Sequence, residues 1–307
     1  MTTKLGISLK LASTLAFLSM STLVKLASDE IPIGEIMFFR AFFAIIPLIF
    51  WLWWNNELRW SLKTSRLGGH LIRSLSGSGG MYFGFAALAL LPLPDATAIG
   101  YLAPLIATGL AAIILKENVQ AYRWIAIFIG FIGTFIMIAP HFDNQRLVNL
   151  LDTGPALGAL AGLLASLCNG FSSIQIRKLA QIERTGTIVF YFLIVTSLIG
   201  LITGLPYWHH PTLKQTALLI GSGILGGIGQ ILITSSYRFA DASVIVLFEY
   251  SSLLWALIIG YLLFGDVPQF IVLFGAIVVI VSGLYVFNRE NRKSIKISKI
   301  ESIKSNE

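Results

Sequence analysis

Ten stretches of about twenty mostly apolar residues, with the charges gathered between them, constrain this chain more than any other feature. The stretches are residues 6–26, 33–53, 68–91, 96–115, 123–139, 154–176, 186–205, 215–237, 242–264 and 268–287. A helix of about 20 residues crosses the hydrocarbon core of a bilayer at 1.5 Å per residue. Inside lipid the backbone must satisfy its own N–H and C=O groups, so each run is expected as a helix. Only 12% of the residues are charged, against roughly 25% in soluble domains, and 56% are hydrophobic. A water-facing globule could not be covered with so little polar surface. The expected fold class is all-α and integral to the membrane, with ten transmembrane helices.

The basic residues set an orientation. With the N-terminus cytoplasmic, sixteen of the 22 lysines and arginines fall in segments on that side, among them Arg59, Lys63, Arg66, Lys116, Arg123, Arg177, Lys178, Arg184 and Arg238. Lys25, Arg146 and Lys214 fall on the other side, and Lys10, Arg40 and Arg73 lie within runs. Cytoplasmic loops carry the excess of Lys and Arg, so both termini are expected inside, which requires an even number of crossings. The net charge of +7 has the same origin. It is not the contiguous basic face that a nucleic acid needs. The first run lacks a small-residue cleavage site and is read as a retained helix rather than a signal peptide. A single cysteine, Cys168, offers neither a disulfide nor a cysteine metal cluster.

Short matches recur in order along the chain. Asp95-Ala96-Thr97 opens the fourth run and Asp241-Ala242-Ser243 the ninth, each with an aspartate suited to capping a helix start. Lys116-Glu117-Asn118-Val119 closes the fourth, and Gly265-Asp266-Val267-Pro268 closes the ninth. Lys25-Leu26-Ala27 ends the first run, Lys178-Leu179-Ala180 follows the sixth, and Gly34 and Gly186 stand near the next helix starts. The order implies two copies of a five-helix unit. Because five is odd, the second copy enters the membrane inverted, an architecture from which alternating-access transporters are built. The expected units are a first repeat over 1–143, a linker over 144–153, an inverted second repeat over 154–287, and a basic cytoplasmic tail over 288–307. The tail has charges suited to contact with anionic lipid.

Tyr101-Leu102-Ala103-Pro104-Leu105 with Glu117 at the helix end, and Phe248-Glu249-Tyr250 leading to Phe264-Gly265-Asp266, resemble the paired signatures of the EamA-type family of the drug/metabolite transporter superfamily. Phe38-Phe39-Arg40 and the stretch 70–92 fit the same pattern, so the resemblance covers about 6–287. It implies a ten-helix inverted-repeat transporter with a central cavity, set in a bacterial inner membrane. Tyr250 stands where the family often has proline after the glutamate. A proline kink is therefore expected in the fourth run, at Pro104, and not in the ninth.

Ionisable groups within a span cost roughly 2.5–3.5 kcal/mol on insertion scales and so face a cavity or a partner. Glu249 and Arg73 stand at matching depths from the cytoplasmic side, so they are expected either to pair or to hold opposite ends of a zwitterion; a static packing pair is the alternative. Arg40 enters from the other side, with Glu35 as its expected partner and an outer gate as the alternative role. Arg40 and Glu249 are the gate or coupling candidates. Tyr82, Tyr101, Asn169, Gln230 and Tyr250 complete the candidate cavity set, with helix–helix hydrogen bonding as their plainer role. Glycines spaced by four, at 154, 158 and 162, at 80 and 84, and at 223 and 227, are expected to let helices approach closely. Gly226-Gly227 is the alternative hinge. His209-His210 is read as a solvated loop rather than a metal site.

No phosphate-binding glycine loop, His-Glu-x-x-His helix or Gly-x-Ser-x-Gly elbow occurs, and no cofactor, metal site or catalytic residue is implied. The leading expectation is a secondary carrier, not an enzyme. Its cargo is an amino acid or a related amphipathic compound, export is favoured, and proton coupling through Glu249 is open. Uptake of a cofactor- or nucleoside-like metabolite, such as S-adenosylmethionine or riboflavin, is the rival. An intramembrane enzyme acting on a lipid-linked substrate would need paired acids at one depth. A non-transporting scaffold would leave the buried polar set unused. Expected partners are the small molecule and the bilayer, without nucleic acid or an ATPase subunit, in a monomer or homodimer.

Overall fold

Apolar runs become helices wherever the chain is described. The computed structural model describes residues 2–27, 31–59, 63–90, 99–117, 119–138 and 153–252, then residue 255 and separate positions between 270 and 289. The helices are α1 (Thr2–Ala27), α2 (Ile33–Phe43), α3 (Ile45–Trp54), α4 (Leu67–Leu90), α5 (Leu102–Ile114), α6 (Ala121–Ile138), α7 (Thr153–Ala180), α8 (Thr185–Gly204), α9 (Leu213–Phe239) and the short α10 (Ala242–Ile245). No strand occurs among the described residues. The expected linker, the Asp95 start of the fourth run, the Asp266 close of the ninth and the tail beyond 289 lie outside them.

Among the described residues, five segments are long and apolar enough to cross a membrane: Thr3–Val24, Ile33–Trp54, Leu157–Ala180, Thr185–Tyr207 and Leu213–Phe239. Helix α4 has 24 residues, about 36 Å at 1.5 Å per residue, but its first half is rich in serine and glycine and holds His70 and Arg73. Those residues turn inward: His70, Arg73, Ser74 and Ser78 are all buried. Large apolar side chains such as Trp53, Ile113, Ile202 and Leu213 are exposed. That distribution suits a solvent of lipid and not of water.

Two runs break at the same offset from a proline. The second splits at Ala44, three residues before Pro47, and α5 begins after a turn at Tyr101, three residues before Pro104. Proline lacks an N–H and crowds the carbonyl four residues back, which is Phe43 in one case and Gly100 in the other. The break at Tyr101 falls beside Pro104, where the kink is expected. The ninth run, without a proline, also changes geometry: α10 tightens into a 3-10 turn over Val246–Tyr250. That turn carries Glu249, and a 3-10 stretch within a helical run often marks a functional hinge.

Glycines bring backbones together. A Cβ on Gly200 of α8 would stand 2.5 Å from the Phe38 nitrogen of α2, and one on Gly204 would stand 2.8 Å from the Glu35 nitrogen. On α9, a Cβ on Gly223 would meet Phe43 Cβ at 2.6 Å, and one on Gly227 would meet Pro47 Cγ at 2.6 Å. Helix α9 thus lies against the break in the second run. Elsewhere α1 packs along α9, α4 along α7, and α2 against α8.

The loop after α3 and the turn between α7 and α8 meet at one end of the bundle. Thr64 donates to Glu183 at 2.7 Å, and Arg184 donates to Glu57 at 3.5 Å. The many basic residues of these segments therefore share one face. Beside that end lies an apolar cluster that includes Ala111, Ile174, Ile176, Leu179, Tyr237, Ala242 and Ile245.

Adding a side chain at the α2–α8 crossing should overpack it. Gly200→Val should destabilise the detergent-solubilised protein by about 1–3 kcal/mol. Gly68→Ala, where a Cβ would meet nothing within 4 Å, should stay within about 0.5 kcal/mol of the parent by thermal unfolding.

Candidate functional site

A cavity of about 320 Å³ lies among α1, α2, α4, α5, α7, α8, α9 and the 3-10 turn. Pockets for small molecules begin near this size. Five of the residues singled out from the sequence line it: Arg40, Arg73, Asn169, Gln230 and Glu249. They come from five separate elements, and both halves of the chain contribute. Phe17, Met20, Met81, Phe85 and Phe192 supply apolar wall.

Three tyrosines take other places. Tyr82 is 37% exposed and stands edge-on to Phe83, so its ring faces away from the cavity wall. Tyr101 and Tyr250 stack with centroids 5.3 Å apart, and the Tyr101 hydroxyl lies 3.0 Å from Ser252 Oγ. The Tyr250 hydroxyl donates to the Tyr101 carbonyl at 3.5 Å. These two rings brace the turn before α5 against the 3-10 turn. Depth along a helix was legible; the direction of each ring around it was not.

Glu249 is paired with Lys10 of α1, and not with Arg73 as the matching depths suggest. Lys10 is 1% exposed, whereas 43% of the Glu249 side chain remains accessible. Equal depth does not fix rotation about the helix axis, and Lys10 satisfies both. Its presence within an apolar run is the same costly signal that singles out Arg73, so the sequence held the clue. Arg73 instead lays its guanidinium 3.9 Å from the Phe192 ring centroid. Its Nε and Nη1 are buried without a hydrogen-bond partner.

Arg40 likewise lacks its expected partner. Its guanidinium is directed at the thioether sulfurs of Met20 and Met81, while Glu35 accepts from the His209 backbone N–H at 2.9 Å. Five residues on an α-helix turn through about 140° beyond one full revolution, so Glu35 and Arg40 point to different faces. Arg40 is on the cavity wall together with Glu249, which brings the two gate candidates to one space.

A polar network covers the end of the bundle beside the apolar cluster. Glu117, just past α5, accepts from the Ala242 and Ser243 backbone N–H groups at 3.0 and 3.2 Å and from the Ser243 hydroxyl at 2.8 Å. Asp241 makes no side-chain cap of its own, contrary to the sequence expectation, because a neighbouring helix supplies it. The Asp241 carboxylate is held instead by Arg123 and Arg177, each at 3.2 Å. Those two arginines had read only as topogenic charge.

A helical bundle with lipid-facing flanks and an internal cavity defines a multi-pass membrane transporter. The EamA-like transporter family model matches residues 4–139 and again residues 156–288. The chain belongs to that family, within the drug/metabolite transporter superfamily. It is 30% identical over 289 residues to the riboflavin transporter of Vibrio cholerae, covering 92% of this chain and 93% of that one. It is 28% identical to the S-adenosylmethionine uptake transporter of Rickettsia bellii, covering 96% and 97%, and 26% identical to the pseudopaline exporter of Pseudomonas aeruginosa, covering 91% and 94%. A crystal structure matches with a TM-score of 0.76 at 15% identity, over 91% of this chain and 95% of that chain, and so shares the fold.

The Lys10–Glu249 pair should show coupling. Lys10→Met and Glu249→Gln should each destabilise the protein, and the double variant should recover about 0.5–3 kcal/mol of the summed loss by thermal unfolding in detergent. Glu117→Ala strips acceptors from two backbone donors and should cost about 1–3 kcal/mol in the same assay.

Proposed function

We propose that this chain is a secondary carrier that moves a small amphipathic metabolite by alternating access, without a cofactor or a catalytic residue. The observation that carries the reading is a largely apolar cavity walled by both halves of the chain, with Arg40 and Arg73 from one and Asn169, Gln230 and Glu249 from the other. A site shared between two bodies can be offered to either side of a membrane as one rocks against the other. Two inverted five-helix units, 1–143 and 154–287, are the moving bodies. The family model's two separate matches support this division. So does the packing, since α1 with α9 and α4 with α7 are equivalent pairs under an exchange of the halves.

With the basic end formed by the 54–66 and 177–185 segments as the cytoplasmic end, both termini lie on the cytoplasmic side of a bacterial inner membrane. Amino acids and compounds bearing an amino-acid group are the first substrate class, with export as the direction. Uptake of a cofactor-like metabolite is the second version, favoured by the likeness to riboflavin and S-adenosylmethionine transporters. Glu249 couples flux to protons by alternating between its Lys10-paired carboxylate and a neutral acid.

Purified protein in liposomes should exchange at least one of labelled S-adenosylmethionine, riboflavin or an amino-acid mixture, and the orientation of a pH gradient that speeds exchange gives the direction. Glu249→Gln should retain exchange at matched pH and lose its response to the gradient. No exchange of any of these by the parent protein would sink the carrier reading, and an unchanged gradient response in the variant would remove Glu249 from coupling.

A further inference from the structure

The cavity wall holds an imbalance of charge. Arg40 and Arg73 both line it, and the one lining carboxylate, Glu249, is already matched by Lys10 from behind the wall. Neither arginine has an acidic partner among the described residues. Arg40 is 9% exposed and Arg73 is 2% exposed, so each guanidinium meets little beyond the cavity wall. Their present neighbours are poor substitutes. Thioether sulfur is a weak acceptor, and a ring face offers Arg73 attraction but no acceptor for Nε and Nη1. Buried donors are nearly always answered, and a buried guanidinium left open is costly.

The two groups are also placed to act together. Arg73 runs along its own helix over Gly77, whose missing side chain leaves room for Nη1. Arg40 reaches the same helix at Met81. Residues 77 and 81 are one turn apart, about 6 Å along the axis. Two guanidinium groups that meet neighbouring turns of one helix, on a wall also formed by Phe17, Phe85 and Phe192, can bracket one oxyanion while rings cover an apolar body.

We infer that Arg40 and Arg73 form an oxyanion clamp, and that the substrate carries a carboxylate or phosphate bound between them. This rests on the carrier reading, whose cargo class it names. The clamp itself stands on the open Nε and Nη1 of Arg73 and on an Arg40 answered only by thioether sulfur.

The test uses the full-length protein in detergent, with benzoate, phenyl phosphate and benzamide as probes and thermal stability as the readout. At least one anion should raise the melting temperature and benzamide should not. The half-saturating concentration of that anion should rise roughly ten- to a hundredfold in Arg40→Gln and in Arg73→Gln, while Arg73→Lys keeps most of the response. The anion acting at lower concentration tells carboxylate from phosphate. Without any probe, the two glutamine variants should melt no lower than the parent, because an unpaired buried cation has been removed. Loss of fold in both would instead mark a packing role and overturn the clamp. An equal response to benzamide, no response to either anion, or an anion response surviving both substitutions would overturn it as well. Flux measured on the same preparations separates the two readings. Exchange without arginine-dependent anion binding rejects the clamp alone, and arginine-dependent binding without exchange rejects the carrier alone.

Discussion

A charge held within hydrocarbon must be answered, and this bundle is organised around that demand. Lys10, within the first run, is answered by Glu249; at the basic end of the bundle Arg123 and Arg177 are answered by Asp241, and Glu183 by Thr64. These pairs join elements far apart in sequence: α1 to the 3-10 turn, α6 and α7 to the start of α10, and the loop after α3 to the turn before α8. Apolar packing cannot make such choices in lipid, because a leucine gains little by leaving one apolar neighbour for another. Polar pairing and close glycine contact decide which helix lies beside which. Arg40 and Arg73 stand apart as buried arginines without a carboxylate among the described residues, and they do so on the wall of the cavity.

The helices were legible because their signal is additive over twenty residues. That two of the basic segments share one end was equally readable, since it depends on counting charges rather than on their contacts. What escaped was local. The split at Ala44 follows from Pro47, whose missing N–H could have been read, and the same chemistry correctly placed the break near Pro104. The tightened turn at Val246–Tyr250 has no proline behind it, so nothing in the local sequence announced it. Asp241 looked like the cap of its own helix. It is outcompeted by Glu117, a residue 124 positions earlier, and no propensity scale contains that information.

Site residues were legible by depth and not by azimuth. Counting from the membrane boundary brought Arg73 and Glu249 to one level, and both do reach one cavity. The same count offered Tyr82, which points outward, and it passed over Lys10, which points in. For Arg40 and Glu35 the helical wheel itself argued against pairing, since residues five apart diverge around the axis. Asn169 and Gln230 reached the wall, as amides buried among apolar neighbours tend to seek company.

The borrowed cap at the start of α10 constrains how this protein could ever open there. The Ala242 and Ser243 amides have no acceptor within their own helix, and a glutamate at the end of α5 serves them both. Any conformation that draws those two ends apart strands the pair of donors in a place lined by Ala111, Ile245 and their neighbours. Water, or Asp241 released from its arginines, would have to relieve them. Separation at this end and rewiring of its polar network are thus one event.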